Sequence, residues 1–331
     1  MENKTKIAII GGGSWATALV KILSENNIGI NWYIRNSRII EYIKKRKHNP
    51  NYLSSVEFDL NKIVLTNKID QSVKESEMVL FAVPAAFLEA AISKMTIPLE
   101  NKFVISAIKG IMPENNMLIS EYFEKHHKVP IQSFAAITGP CHAEEVAQEK
   151  LSYLTVVSEN QEKANLIKEF LDCNYINAKA TDDVIGAQFA SVLKNIYAIA
   201  AGICHGLGYG DNFQAVLVSN AIIEMKRFVR TVHPLKRDIK GSAYLGDLMV
   251  TTYSQFSRNR IFGNMIGKGY SVKSAQFEMN MIAEGFYAAK GIHQINKNYQ
   301  IEIPIVETVY NILYRHYPAR KEMQKLTNTL S

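Results

Sequence analysis

The sequence predicts an α/β fold: a doubly wound, mostly parallel sheet followed by an all-helical C-terminal domain. Three observations predict it. The first half alternates short apolar runs with segments of helical period. The second half keeps only the helical period. A glycine-rich turn joins the first apolar run to the first helical segment.

The elements follow in order. "KIAII" is a buried strand and "SWATALVKILSENN" a helix. "INWYI" is a second strand. A helical, charged and loop-rich stretch then leads to the strand "EMVLFAV". Pro84 opens the helix "PAAFLEAAISKM". "KFVISAI" is a strand and "MPENNMLISEYFEKHH" a helix, and the strands "IQSFAAITG" and "SYLTVVS" close the series. Apolar strands alternating with helices mean βαβ units, with helices on both faces of the sheet. From about Asp182 the strand pattern is gone. "DVIGAQFASVLKNIYAIAAGICHGL", "NFQAVLVSNAIIEMKRFVRTV", "SAQFEMNMIAEGFYAAKGIHQINKN" and "PIVETVYNILYRHY" all have helical period. The expected domains are residues 1–181, binding a dinucleotide, and 182–331, binding substrate and carrying catalysis.

Composition narrows the class. The chain has 331 residues, 47% apolar and 21% charged, which suits a soluble globular protein of two domains. The net charge of +7 reads as mild and spread, densest at Lys44–His48, where a solvated helix end accounts for it better than a nucleic-acid patch. Such a field suits an anionic cofactor or substrate. Cys141, Cys173 and Cys204 are odd in number and widely spaced, which argues against a disulfide framework or a zinc site and for a reducing cytoplasm. The N-terminus lacks the shape of a signal peptide, and no apolar stretch reaches the roughly 18 residues of a membrane span. The expectation is a cytoplasmic protein with no metal, no nucleic-acid partner and no integral membrane segment.

Gly11-Gly12-Gly13-Ser14-Trp15-Ala16 fits the G-x-G-x-x-[GA] fingerprint at the place it requires, between first strand and first helix. The expected fold is therefore Rossmann-type. Gly11 permits a tight turn, Gly13 lets the backbone approach a pyrophosphate, and Ala16 lets the helix pack close to the strand. The helix N-terminus offers free N–H groups and a positive dipole end. A plain strand-to-helix turn is the alternative. Arg35 stands at the end of the second strand, with Arg38 just beyond, where an acidic residue would hold a ribose hydroxyl. Arginine suits a 2′-phosphate, so NADP(H) is favoured over NAD(H); a solvated arginine is the alternative.

Ligands of open α/β sheets sit outside the carboxyl ends of the strands. Pro84, Lys109-Gly110 and Gly139-Pro140-Cys141 fall there. Lys109 is a lone cation at a strand end; a snorkelling surface lysine would look the same. Between Ile185 and Cys204 the helix is almost wholly apolar, except for Gln188, Ser191, Lys194 and Asn195 on one face. Such a helix belongs in a core, so its polar face lines a cavity or a wet interface rather than a narrow solvated stripe. Burial lowers a lysine pKa and so fits Lys194 for proton exchange near neutrality. Asp247 interrupts a later apolar run, and Ser257-Arg258-Asn259-Arg260 offers hydroxyl, amide and guanidinium groups suited to a phosphate monoester. A capped helix with exposed arginines is the alternative there.

Together these segments resemble the bacterial-type NAD(P)-dependent glycerol-3-phosphate dehydrogenases over nearly the whole chain and in motif order. "GGGSWATAL", "SAIKGI", "TGPCHAEEVA", "LKNIYAIAAGICHGLGYGDN", "GDLMVTTYSQFSRNRIFG" and "IAEGF" carry the resemblance, with Ala16 and Cys141 departing from the family's usual residues. It implies reduction of dihydroxyacetone phosphate, a small phosphate ester, to sn-glycerol 3-phosphate for phospholipid synthesis, and a homodimer. It implies catalysis by Lys194 with Lys109 and Asp247. It implies cofactor contacts from Gly11, Gly13, Ser14, Trp15, Arg35, Lys109, Ala143, Arg258, Ile282 and Glu284. The implied substrate contacts are Lys109, Gly139, Cys141, Lys194, Asp247, Ser257, Arg258 and Asn259. Cys141 puts one hydroxyl contact in doubt, because a thiol donates a hydrogen bond poorly. Two other readings stay open at this level: a related hydroxy-acid reductase with a helical second domain, and a non-catalytic NAD(P)-binding redox regulator.

Overall fold

The computed structural model describes residues 6–279 and 281–330. It divides into two compact units. The first runs to Ile108 and resumes over Ile119–Val184; the second takes Lys109–Leu118 and everything from Ile185 on.

The first unit holds one sheet: β1 (Lys6–Ile10), β2 (Gly29–Tyr33), β3 (Ile63–Thr66), β4 (Met78–Phe81), β5 (Phe103–Ser106), β6 (Phe134–Thr138), β7 (Ser152–Val157) and β8 (Ile176–Thr181). The spatial order is β3-β2-β1-β4-β5-β6-β7-β8, parallel throughout except for the β6–β7 pair. The chain leaves β1 toward β2 on one side and later returns to place β4 on the other. The carboxyl ends of β1 and β4 therefore flank a topological switch point, where such sheets bind ligands. The helices are α1 (Ser14–Glu25), α2 (Ser37–Arg46), α3 (Ile69–Lys74), α4 (Leu88–Ile92), α5 (Ile119–His127), α6 (Ala143–Ala147) and α7 (Gln161–Leu171). Alternation along the strands serves two faces. Ile7 and Ile9 join a core with Leu19 and Leu23 of α1, while Phe81 packs on Phe123 of α5, ring centroids 4.9 Å apart.

Several sequence expectations need correction. Two strands lie outside the expected series: β3, a four-residue apolar run within the stretch expected to be helical and loop-rich, and β8, which keeps the polar Asn177 and Lys179 exposed. The helix expected from Met112 starts only at Ile119: Asn116 adopts a left-handed conformation (φ 59°) and the Asn115 side chain accepts from Met117 N–H, which together make a turn. After Pro84 comes a single 3₁₀ turn, Ala85–Phe87, before α4.

The second unit is helical: α8 (Val184–Leu207), α9 (Asp211–Val232), α10 (Asp247–Tyr253), α11 (Arg258–Gly267), α12 (Val272–Glu278), α13 (Glu284–Tyr299), α14 (Pro304–Tyr314) and α15 (Ala319–Thr327). The single late helix expected over "SAQFEMNMIAEGFYAAKGIHQINKN" is two, α12 and α13. By length and composition α8 could cross a bilayer, contrary to the sequence expectation, but it is almost wholly buried. It is the central core helix, touching α9 through Phe189 and Phe228. Glu224 of α9 is buried and accepts the N–H groups of Ile305 (2.8 Å) and Val306 (3.1 Å) at the start of α14. Burial pushes its carboxyl up to about 8, against the pull of those two bonds.

Candidate active site

In the first unit the glycine turn is built as a cradle. Gly11 has φ +138°, and a Cβ there would lie 2.5 Å from the carbonyl oxygen of Ala82. Only glycine fits. Gly13 is the opposite case: a Cβ would meet nothing within 4 Å, so its open side faces free space. Gly13 is also the N-cap of α1, and no side chain caps that helix, which leaves N–H groups of the first turn for an anion. Ser14 is the first helical residue and is buried; Trp15 is half-buried. Two residues hold the turn from behind. Trp32 of β2 donates Nε1–H to the Gly11 carbonyl at 2.6 Å. Asn49 donates to the Gly12 carbonyl (3.3 Å) and to Thr17 Oγ1 (2.9 Å). These features fit a dinucleotide pyrophosphate: a tight turn, an open glycine and an uncapped helix start at a switch point.

Arg35 lies exposed just past β2. Gly139 follows β6 with φ +108°, and a Cβ would sit 2.8 Å from the Tyr153 carbonyl oxygen of β7. That approach accounts for the glycine without any ligand. Cys141 is buried in the first unit's core, and Ala143 opens α6, which packs on α1.

In the second unit the sequence-predicted residues converge. Lys194 of α8 is 4% exposed and pairs through Nζ with Asp247 Oδ1, while Lys109 Nζ stands 3.6 Å from Asp247 Oδ2. Asp247 begins α10 after a π-helical turn at Ser242–Gly246, and it is 1% exposed. One buried carboxylate thus faces two lysines. Burial drives the Lys194 pKa down from 10.5 to about 7; Asp247 opposes the fall and Lys109 adds to it. Thr251, one turn after Asp247, accepts from Lys194 Nζ at 3.1 Å and donates to the Asp247 carbonyl.

A second set of bonds leads away from this pair. Asn195 Nδ2 donates to the Lys109 carbonyl (2.7 Å), and its Oδ1 accepts from Asn259 Nδ2 (2.9 Å). Asn259 Oδ1 accepts the N–H of Gly285 in the first turn of α13 (2.9 Å), beside Glu284. Ile282, half-buried, lies in the segment that leads into α13. Ser257 caps α11 by accepting from Arg260 N–H (3.3 Å), which leaves its hydroxyl proton to donate. Arg258 is the first residue of α11, and its Nη1 lies 3.8 Å from the soft sulfur of Met281.

α8 and α11 meet backbone to backbone. Gly202 and Gly206 of α8 face Gly263 and Gly267 of α11, and a Cβ on any of the four would collide with a main-chain atom of the other helix. Gly263→Ala should therefore cost ~1–3 kcal/mol or more, since backbone cannot yield as a side chain does. Its melting temperature should fall by several degrees. An unchanged melting temperature would mean that the helices separate freely.

Trp32, Asn49 and Thr251 were not singled out in the sequence. Thr251 alone left a local signal, its i,i+4 spacing from Asp247 on a helix.

Comparison with known proteins gives one consistent result. Models described as NAD-dependent glycerol-3-phosphate dehydrogenase N-terminus and C-terminus match residues 6–164 and 183–324. The chain is similar to the glycerol-3-phosphate dehydrogenase [NAD(P)+] of Chlorobium limicola, 32% identical over 97% of this chain and 96% of that one. It is similar to the crystal structure of glycerol-3-phosphate dehydrogenase from Coxiella burnetii, with a TM-score of 0.89 at 28% identity over 98% and 99% of the two chains. A D-mandelate dehydrogenase complexed with NADH shares the fold at a TM-score of 0.60 and 15% identity, over 97% of this chain and 99% of that one.

Proposed function

This chain belongs to the NAD-dependent glycerol-3-phosphate dehydrogenase family, and from that premise we propose how its residues carry out the family's reaction. That reaction is the reversible reduction of dihydroxyacetone phosphate to sn-glycerol 3-phosphate with NAD(P)H. The observation that carries the proposal is the buried Lys194–Asp247–Lys109 group.

Gly13, Ser14 and Trp15 hold the dinucleotide at the N-terminus of α1, where the helix dipole favours its pyrophosphate, while Gly11, whose N–H donates to the Tyr33 carbonyl at 3.2 Å, shapes the turn. When bound, the nicotinamide supplies the hydride. Negative charge develops on the ketone oxygen as the carbon is reduced. Lys194 in its ammonium form stabilises that charge and gives the oxygen its proton. A pKa near 7 lets the same group donate in reduction and accept in oxidation. Asp247 and Thr251 fix the direction of the ammonium. Lys109 adds positive potential and weakens the hold of Lys194 on its proton. Arg258, the Ser257 hydroxyl and the free N–H groups at the start of α11 bind the substrate phosphate. Asn259 contributes chiefly by position, since its amide already joins α8, α11 and α13. Gly139 and Cys141 as substrate contacts, and Ala143, Ile282 and Glu284 as cofactor contacts, rest on the family resemblance. So does a homodimer; a cytoplasmic location rests on cysteines that form no disulfide.

The primary test follows NADPH and NADH absorbance in parallel with dihydroxyacetone phosphate. A hydroxy-acid reductase would ignore that substrate, and a redox regulator would turn over nothing. The same assay settles cofactor preference. With Arg35 at the ribose of NADP(H), Arg35→Ala should raise KM for NADPH ~10-fold or more and leave KM for NADH almost unchanged, the scale of one charge-assisted bond. Equal changes for both cofactors would remove Arg35 from the 2′-phosphate.

A further inference from the structure

The catalytic reading leaves one charged feature unused. Between Lys226 and Lys240 stand six cations, Lys226, Arg227, Arg230, Lys236, Arg237 and Lys240, and one exposed acid, Asp238. Six cations against one acid leave this segment a net charge of +5 where α9 ends and the following loop begins. The cations surround an open concavity of about 400 Å³ lined by Lys226, Arg230, Pro234, Leu235, Lys236 and Arg237.

Some of this charge is already engaged. Arg227 pairs with Glu302 at 2.9 Å, and Arg237 is tied to the His233 carbonyl (3.0 Å) and ring (3.2 Å). Asp238 accepts from Lys240 N–H and so closes the loop's own turn. Lys226, Arg230 and Lys236 are exposed and, among the described residues, have no carboxylate partner. Leu235, between them, leaves 43% of its surface in water.

We propose that this concavity docks the protein on an anionic phospholipid surface. A single small anion would have to immobilise three long, rotamer-rich side chains at once, which costs entropy. A sheet of phosphate headgroups neutralises them while they stay mobile. Leu235 and Pro234 supply an aliphatic tip to enter the headgroup region. The stretch lacks an exposed aromatic ring on which a nucleic-acid base would stack, since Phe228 is buried.

The test is sedimentation of the whole protein with phosphatidylcholine vesicles, with and without phosphatidylglycerol. Binding should appear only with phosphatidylglycerol and weaken in high salt. Lys226→Ala with Lys236→Ala should lower partitioning roughly 25-fold, about five-fold per cation. Leu235→Ser should lower it further. Turnover in solution should stay unchanged, because none of these residues belongs to the active site; loss of docking would thus leave the catalytic reading intact. Equal binding to neutral vesicles, or full binding by the double variant, overturns the proposal. So does saturable binding of inorganic phosphate, or of a short single-stranded RNA, that the double variant abolishes while vesicles do not bind.

Discussion

Lys194→Ala should lower kcat for dihydroxyacetone phosphate reduction by at least ~100-fold, the lower bound for losing a positioned general acid. NAD(P)H affinity should hardly move, because Lys194 lies in the second unit and the dinucleotide cradle in the first. The effect is large because no neighbour can replace the proton. Thr251 Oγ1 already donates to the Asp247 carbonyl, and Lys109 stands on the far oxygen of the carboxylate. Near-normal turnover would remove Lys194 from the mechanism. In the native protein kcat/KM reports the free enzyme, so its pH profile carries the Lys194 pKa. Reduction needs the ammonium and should fall as pH rises through about 7; oxidation needs the amine and should rise over the same interval. The substrate's own phosphate titrates near ~6, which places its break on the acid side. Lys109→Met removes a cation that lowers the Lys194 pKa and should move the break upward. Asp247→Asn removes the group that raises it and should move the break downward.

Arg258→Ala should reduce kcat/KM for dihydroxyacetone phosphate by ~10- to 150-fold, the range of one or two hydrogen bonds to a charged group. Dihydroxyacetone, which has no phosphate, should be reduced poorly by both proteins and at nearly the same rate. That pair of measurements separates phosphate binding from general damage. The guanidinium sits at the start of a ten-residue helix whose first N–H groups point the same way as the dipole's positive end. Its removal therefore takes away the mobile half of an anion site and leaves the backbone half. An equal loss with both substrates would show that Arg258 shapes the fold and does not hold the phosphate.

The two observations that mattered most in the sequence were violations of local expectation. A run of glycines should weaken a strand-to-helix joint, and Lys194 should not sit in a helix as apolar as α8. Both anomalies mark groups that the fold constrains: Gly11 by a carbonyl that leaves no room for a Cβ, Lys194 by a buried carboxylate. What stayed hidden has one of two causes. β3 and β8 lie at the ends of the sheet order: β3 is only four residues long inside a charged stretch, and β8, with one partner strand, keeps the polar Asn177 and Lys179 in water. Trp32 and Asn49 act on the glycine turn across 21 and 37 residues of chain, and no local pattern announces such a bond. Thr251 is a residue type at home in many helices, and only its hydrogen bonds give it a role.

The glycine seam between α8 and α11 has a consequence for how the site fails. One helix carries Lys194 and the other begins with Arg258, and at the four glycines between them main chain meets main chain. Side-chain seams can loosen by degrees as rotamers begin to exchange. At the glycines there are no rotamers, so the spacing there is set by bond geometry and is nearly independent of temperature. With Lys194 as donor and Arg258 as anchor, as proposed, that spacing acts as a fixed gauge for the substrate. Heating should leave that gauge intact until the second unit melts, so that catalysis ends abruptly and together with the fold.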